Sequence, residues 1–287
     1  MTTKPPPVTP RDTTLSSLST SFTMISVVCL WMAAQLLFLG GLGESRAQDL
    51  LYDRLRGELA AATAPVGPIT PVGDPVGLVT IPAIGLQQVV VEGTASGDLL
   101  VGPGHRRDTV LPGQEGVSVV YGRAATYGAP FRDLTRLAKG DPITVVVGQG
   151  RITFTVVGVR RQGDPIPEPP KPGSARLTLV TAEGSGPFAA IAAGSAVYVD
   201  ADAGKAFPAP PGRPLAVPES EKAMASERGA LPLLALCLAL LLALTLGVIA
   251  ACQRWSTALV WVIASPVAIA LSWATTDVVM RLLPNLI

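Results

Sequence analysis

Residues 143–159 read ITVVVGQGRITFTVVGV, which is two apolar runs joined by Gly148-Gln149-Gly150. Both runs are rich in valine, isoleucine and threonine, and the second alternates apolar with polar residues, as half-buried β-strands do. The stretch therefore predicts two neighbouring strands with a turn between them. Similar runs, separated by turns rich in glycine and proline, lie at residues 78–81, 88–91, 117–121, 177–181 and 196–199. Many short strands at this spacing predict an all-β barrel or sandwich over residues 76–203.

Outside this segment three long apolar runs dominate the sequence, and hydrophobic residues make up 48% of the chain against 15% charged. Because about 20 helical residues cross a hydrocarbon core of ~30 Å, the runs predict three transmembrane helices, at residues 22–42, 231–252 and 257–279. A buried helical hairpin is the alternative for the last two. A cleavable signal peptide ending near Ser45-Arg46-Ala47 is the alternative for the first, although its apolar run exceeds the usual length of about 7–15 residues.

Positive charges in the short loops predict the orientation, because such loops stay on the cytoplasmic side. Lys4 and Arg11 lie in the tail 1–21, and Arg254 lies between the last two runs. The sequence therefore predicts a multi-pass protein of the cell membrane, with a cytoplasmic tail and an extracytoplasmic domain at 76–203. The connecting segments are predicted as a stalk helix at 44–62, a linker at 63–75 and a proline-rich tether at 204–228.

Charge and cysteine content exclude several kinds of site. A net charge of +1 argues against a strong phosphate-binding surface, so no nucleic-acid partner is expected. Cys29, Cys237 and Cys252 lie in or at the end of apolar runs, and His105 is the single histidine of the sequence. A four-ligand zinc site would need all four side chains, and no disulfide framework is possible. We expect no metal and no cofactor.

Several motifs in the predicted β domain resemble sortases, especially the class found in actinobacteria (class E). Residues 119–131, VVYGRAATYGAPF, are similar to the family stretch GH-R-x-x-YGAPF, and residues 177–182, LTLVTA, are similar to the family strand end LTLxTC. The earlier runs GPGH at 102–105 and LPG at 111–113 fit the same order. The resemblance implies an eight-stranded β-barrel and a cell-surface cysteine transpeptidase that attacks a peptide bond in a sorting motif.

The residues that carry this chemistry in the family are replaced in this chain. The family cysteine falls on Ala182, whose methyl group is no nucleophile. The family histidine falls on Arg123, a guanidinium without an acceptor lone pair. The family arginine should follow the nucleophile, yet residues 183–198 contain neither arginine nor lysine. The resemblance thus implies a catalytically degenerate pseudo-sortase with no catalytic residues of the usual set.

For the groove in which the family binds its substrate, two alternatives stay open. Thr181 or Ser185 could serve as a nucleophile with His105 as its base, although no G-x-S-x-G pattern is present. Arg123 could clamp a peptide carboxylate, or it could pair with Glu183 and close the site. The candidate groove residues are His105, Arg123, Tyr127, Thr181, Glu183 and Ser185.

The leading hypothesis is a membrane-anchored module that binds a peptide or protein, or acts as a scaffold, at the cell surface. A sortase-like transpeptidase or peptidase with Ser185 or Thr181 as nucleophile is one alternative, so whether the chain is an enzyme stays open. A purely structural part of an envelope complex is another. The expected partners are the lipid bilayer, a sorting-signal-like peptide or a cell-surface protein, and a membrane protein that contacts the hairpin at 231–279.

Overall fold

The computed structural model describes residues 30–31, 33–35, 39–67, 69–184, 194–252 and 254–287. Within these ranges there are three long helices and eight strands. The helices are α1 (Gly40–Ala60), α2 (Leu231–Cys252) and α3 (Thr257–Arg281). The strands are β1 (Pro75–Ile81), β2 (Leu86–Glu92), β3 (Gly104–His105), β4 (Gly116–Tyr121), β5 (Pro142–Val147), β6 (Gly150–Arg161), β7 (Ala175–Glu183) and β8 (Ser195–Ala203).

The eight strands close into one barrel in the order β1-β2-β3-β4-β7-β8-β6-β5. The neighbours β2 and β3 and the neighbours β4 and β7 are parallel, and the other pairs are antiparallel. The predicted eight-stranded barrel is confirmed. The parallel pair β4–β7 matters most for the site, because both strands end at the same edge of the barrel.

Strand β6 shows why the sequence pattern predicts a barrel. Its buried residues Ile152, Phe154 and Val156 alternate with exposed residues on the outer face, because successive side chains of a strand point to opposite faces. Phe154 is completely buried in the main core, where it lies in one apolar cluster with residues such as Val79.

The strand that the sequence pattern misses is β3, which has two residues. It pairs with β2 on one side and with β4 on the other. An apolar alternation cannot be seen in two residues, so the pairing follows from the tertiary structure. Gly104 is required there, because a Cβ atom would lie 2.1 Å from the carbonyl oxygen of Gly93.

Helix α1 corresponds to the predicted stalk, but it lies along the barrel rather than standing away from it. The Gln48 amide donates to the Val101 carbonyl at 2.7 Å, and its oxygen accepts the Val89 N–H at 2.7 Å. Leu55 is buried, and the Glu44 carboxylate accepts a hydrogen bond from Gln88 at 2.6 Å. The amide of Gln48 thus holds the helix against β2 by satisfying main-chain groups of the barrel.

Parts of the segment predicted as a proline-rich tether, 204–228, pack against the barrel. Phe207 exchanges main-chain hydrogen bonds with Gly113 and Glu115, at 2.8 and 2.9 Å. Glu221 is buried and forms an ion pair with Arg107. The main-chain groups of Phe207 thus bond to the barrel wall, while residues 211–216 of the same segment are exposed.

Helices α2 and α3 pack against each other and are long and apolar enough to cross a membrane. Large apolar side chains are exposed along both, among them Leu236, Leu240, Val262 and Ile263. Pro266 lies inside α3, as the sequence indicates. The first predicted span, 22–42, lies largely outside the described residues.

We predict that Phe154→Ala destabilises the protein by about 3–5 kcal/mol, because it removes a fully buried ring and leaves a cavity in the core. Val157→Ala on the same strand is the matched control. The Val157 side chain is 42% exposed, so we expect a change below about 1 kcal/mol. Thermal or denaturant unfolding of the full chain in detergent checks both, and equal effects would contradict the inward orientation of Phe154.

We also predict that stability falls as the pH rises from 6 to 8. Burial raises the pKa of Glu44 to about 7, from an ordinary value of 4.5. The folded state therefore binds the proton more tightly than the unfolded state, and this advantage is lost as the pH rises through 7. The expected loss is on the order of 1 kcal/mol.

The measurement is the melting temperature of the full chain at pH 6 and at pH 8. Glu44→Gln should flatten the difference and should be the more stable protein at pH 8. Glu58→Gln is the control on the same helix, because Glu58 pairs with Arg54 at the surface. A slope that survives in Glu44→Gln would contradict the assignment.

Candidate functional site

The candidate site lies where the parallel strands β4 and β7 end. The main chain continues the pairing past Tyr121, because the Gly122 N–H donates to the Val180 carbonyl at 3.0 Å. The Thr181 hydroxyl then donates to the Gly122 carbonyl at 3.0 Å. These bonds bring residue 123 and residue 182 to the same end of the barrel, as the motif order in the sequence implies.

Arg123 is completely buried, and its guanidinium is fully hydrogen-bonded. Nε donates to the Leu99 carbonyl, one terminal nitrogen to Thr126 and Ile287, and the other to the carbonyl and the hydroxyl of Ser96, at distances of 2.8–3.2 Å. A guanidinium has five N–H donors, so every donor has an acceptor.

None of these five acceptors is a side-chain carboxylate. Burial lowers the pKa of Arg123 to about 10, which still leaves it a cation at neutral pH. The Tyr127 ring lies 5.7 Å from the guanidinium carbon. Of the two alternatives for Arg123, the structure does not show the pair with Glu183, because the guanidinium donates to oxygens of Ser96, Leu99, Thr126 and Ile287.

Glu183 instead pairs with Arg161 of β6. The two side chains form a bidentate contact at 2.6 and 2.9 Å, and this contact lowers the pKa of Glu183. The pair is exposed, so it is worth little stability. The sequence does not indicate it, because β6 and β7 are brought together through β8.

The segment that follows α3 fills the groove beside Arg123. The Leu286 carbonyl accepts the Ala124 N–H at 2.9 Å. The Ile287 main-chain oxygen accepts both Arg123 at 2.8 Å and the Thr126 hydroxyl at 2.7 Å. Leu286 and Ile287 are buried in an apolar cluster that also contains Leu99, Tyr121, Ala124, Val180, Ala182 and Ala196. Sequence reasoning missed this contact, since nothing in the pattern links residue 123 to residue 287.

Ala182 and Thr181 offer no activated nucleophile in this arrangement. Ala182 contributes a methyl group to the apolar cluster. Thr181 is buried, and its hydroxyl donates to a main-chain carbonyl. Ser185 lies outside the described residues.

His105 is a buried part of the barrel wall. Nδ1 lies 2.9 Å from the Glu92 carboxylate, and Nε2 lies 2.8 Å from the Val110 carbonyl. A carbonyl oxygen only accepts, so Nε2 carries a proton. With both ring nitrogens in such bonds, His105 is not placed to take a proton from Thr181.

Tyr127 connects the site to α3. Its hydroxyl donates to the Asp277 carboxylate at 2.5 Å, and burial together with this partner raises the pKa of Tyr127. The backbone of Tyr127 is left-handed, with φ of 48°. Tyr127, which the sequence analysis places in the groove, thus links the barrel domain to the apolar helix α3 by a hydrogen bond. Among the described residues, no three histidine, cysteine, aspartate or glutamate side chains are grouped to hold a metal ion.

The family model of the sortase domain matches residues 79–203, which is the barrel. Sortase D of Bacillus subtilis is 34% identical over 85 residues, which cover 30% of this chain and 41% of that protein. The match thus spans about two-fifths of the relative's length. The family model and this relative support the assignment of the barrel to the sortase family.

Solved sortase structures are similar to this chain as well. A sortase D5 transpeptidase from Clostridium perfringens is 19% identical, over 55% of this chain and 96% of that chain, with a TM-score of 0.43. A sortase from Corynebacterium diphtheriae is 23% identical, over 50% and 93%, with a TM-score of 0.40. A sortase E variant from Streptomyces avermitilis is 27% identical, over 46% and 89%, with a TM-score of 0.37.

We predict that Arg123→Lys destabilises the protein by about 2–4 kcal/mol. Lysine has three donors instead of five and cannot reproduce the planar fork, so at least two buried oxygens lose their partner. Arg161→Lys is the matched control at an exposed arginine, with an expected change below about 0.5 kcal/mol. Unfolding of the full chain in detergent gives both values, and equal stability of the two variants would contradict the buried network.

Proposed function

We propose that this chain is a membrane-anchored, sortase-like protein that binds a peptide or protein at the cell surface and does not catalyse transpeptidation. The observation that carries the proposal is the state of Arg123, at the position of the family histidine. It is a buried cation whose five donors hold main-chain and hydroxyl oxygens of this chain, which is the chemistry of a binding group rather than of a proton acceptor.

The chemistry of the neighbouring groups supports this proposal. A thioester mechanism needs a thiolate, and the matching position is Ala182. The Thr181 hydroxyl donates to a main-chain carbonyl, and it lacks the neighbouring base that a serine- or threonine-type mechanism requires. Positioned donors without a nucleophile and base can hold a peptide but cannot cleave it.

The membrane part of the proposal extends what the two apolar helices indicate. Together with the sortase-family barrel they suggest a membrane-associated protein with an outward-facing domain. We extend this to a multi-pass arrangement with spans at 22–42, 231–252 and 257–279, and with the tail 1–21 in the cytoplasm. A membrane protein that contacts the α2–α3 hairpin is the second proposed partner, and the actinobacterial class rests on the quoted motifs.

The test uses the purified full chain in detergent with fluorescent sorting-motif peptides. We expect saturable binding by fluorescence anisotropy and no cleavage by mass spectrometry, while an active sortase on the same peptides serves as the positive control. Cleavage that disappears in Ser185→Ala or Thr181→Val would establish the enzyme alternative. Absence of both binding and cleavage would overturn the peptide-binding function in favour of a structural role.

A further inference from the structure

The groove at the end of β4 recognises the segment after α3 mainly through that segment's main chain. Ala124, Arg123 and Thr126 donate to the oxygens of residues 286 and 287. Such donors fit any extended peptide, because every residue presents a carbonyl group. The side chains of Leu286 and Ile287 add an apolar requirement, since both are buried in the cluster with Ala182.

The segment is also held immediately before the groove. The Asn285 amide donates to the carbonyls of Thr94 and Lys222, at 2.8 and 2.9 Å. The Ser96 hydroxyl accepts a hydrogen bond from Arg123 and donates one to the Met280 carbonyl at 2.9 Å. Residues 282–287 therefore reach Arg123 in the way a tethered ligand does, with the end of α3 as the attachment point.

Helix α3 sets the position of this attachment point. It ends at Arg281, and it is fastened to the barrel by the bond between Tyr127 and Asp277. Six residues span at most about 20 Å when extended. A displacement of α3 relative to the barrel would therefore draw Leu286 and Ile287 out of the groove.

We propose that the groove formed by Ser96, Leu99, Arg123, Ala124 and Thr126 is a receptor for the main chain of an extended, apolar peptide, and that residues 282–287 are its displaceable internal ligand. This inference rests on the proposed peptide-binding function and adds its regulation. An external peptide competes with the segment, and a movement of α3 in the membrane controls the competition. Because the seated segment blocks the groove, the apparent affinity for the external peptide is the intrinsic affinity multiplied by the fraction of chains whose groove is free.

A reversible disulfide that fixes residues 282–287 in the groove, called the lock below, tests whether the segment occupies the groove. In the full chain, Cys29, Cys237 and Cys252 are replaced by alanine, and Ala124→Cys is combined with Leu286→Cys. The main-chain bond between residues 124 and 286 brings their Cα atoms near the range of about 4.4–6.8 Å that a disulfide spans. Ala124→Cys with Leu215→Cys is the control pair, because Leu215 is fully exposed. We expect rapid cross-linking of the first pair alone, and no cross-linking of it would overturn the inference.

The binding probe is a labelled peptide of sequence LLPNLI, which repeats residues 282–287. We expect no binding to the locked chain and restored binding after reduction. Equal binding in both states would overturn the inference while leaving peptide binding intact elsewhere on the protein. No binding in either state, with the lock formed, would overturn the proposed peptide-binding function itself.

A second variant measures the competition without a cross-link. Leu286→Asp places a carboxylate in the apolar cluster and should unseat the segment, so we expect at least about 10-fold tighter binding of LLPNLI than in the wild type. Leu215→Asp is the same change at an exposed leucine and should bind as the wild type does. A cooperative melting transition shows that each variant is folded. Wild-type affinity in Leu286→Asp would contradict displacement.

Discussion

The buried guanidinium of Arg123 is the interaction on which the rest of the site depends. A cation without water costs several kcal/mol unless its donors are satisfied. Here the loop around Ser96 and Leu99, the turn at Thr126 and the segment ending at Ile287 supply the acceptors. One side chain thus joins three parts of the chain that are far apart in sequence.

This network explains why the apolar helices and the barrel form one arrangement. Helix α3 leads directly into the segment that Arg123 binds, and the bond from Tyr127 to Asp277 fastens the helix one turn earlier. The segment at 204–228 reinforces the same side through the pair of Arg107 and Glu221. At this end of the barrel, Arg123 and Thr126 hold the segment after α3 through the Ile287 main-chain oxygen.

The sequence predicts the barrel well because burial on one face of a strand leaves a period of two. Residues 152–156 show that period, and seven of the eight strands are visible in the same way. The short strand at Gly104 and His105 is not visible, because two residues carry no period. The helix at 44–62 and the segment at 204–228 are visible as elements, but their docking depends on single polar contacts such as that of Gln48, which composition does not reveal.

The sequence by itself determines what chemistry residues 123 and 182 can contribute. Alanine at 182 and arginine at 123 are fixed chemical facts wherever the chain folds, since a methyl group is no nucleophile and a guanidinium takes up no proton. Only the tertiary structure decides what those residues do instead. The direction of the five Arg123 donors, and the arrival of residues 286 and 287 beside them, follow from the packing of α3 against the barrel. Contacts across 164 residues of sequence leave no periodic signal, because they depend on how distant segments of the chain pack together.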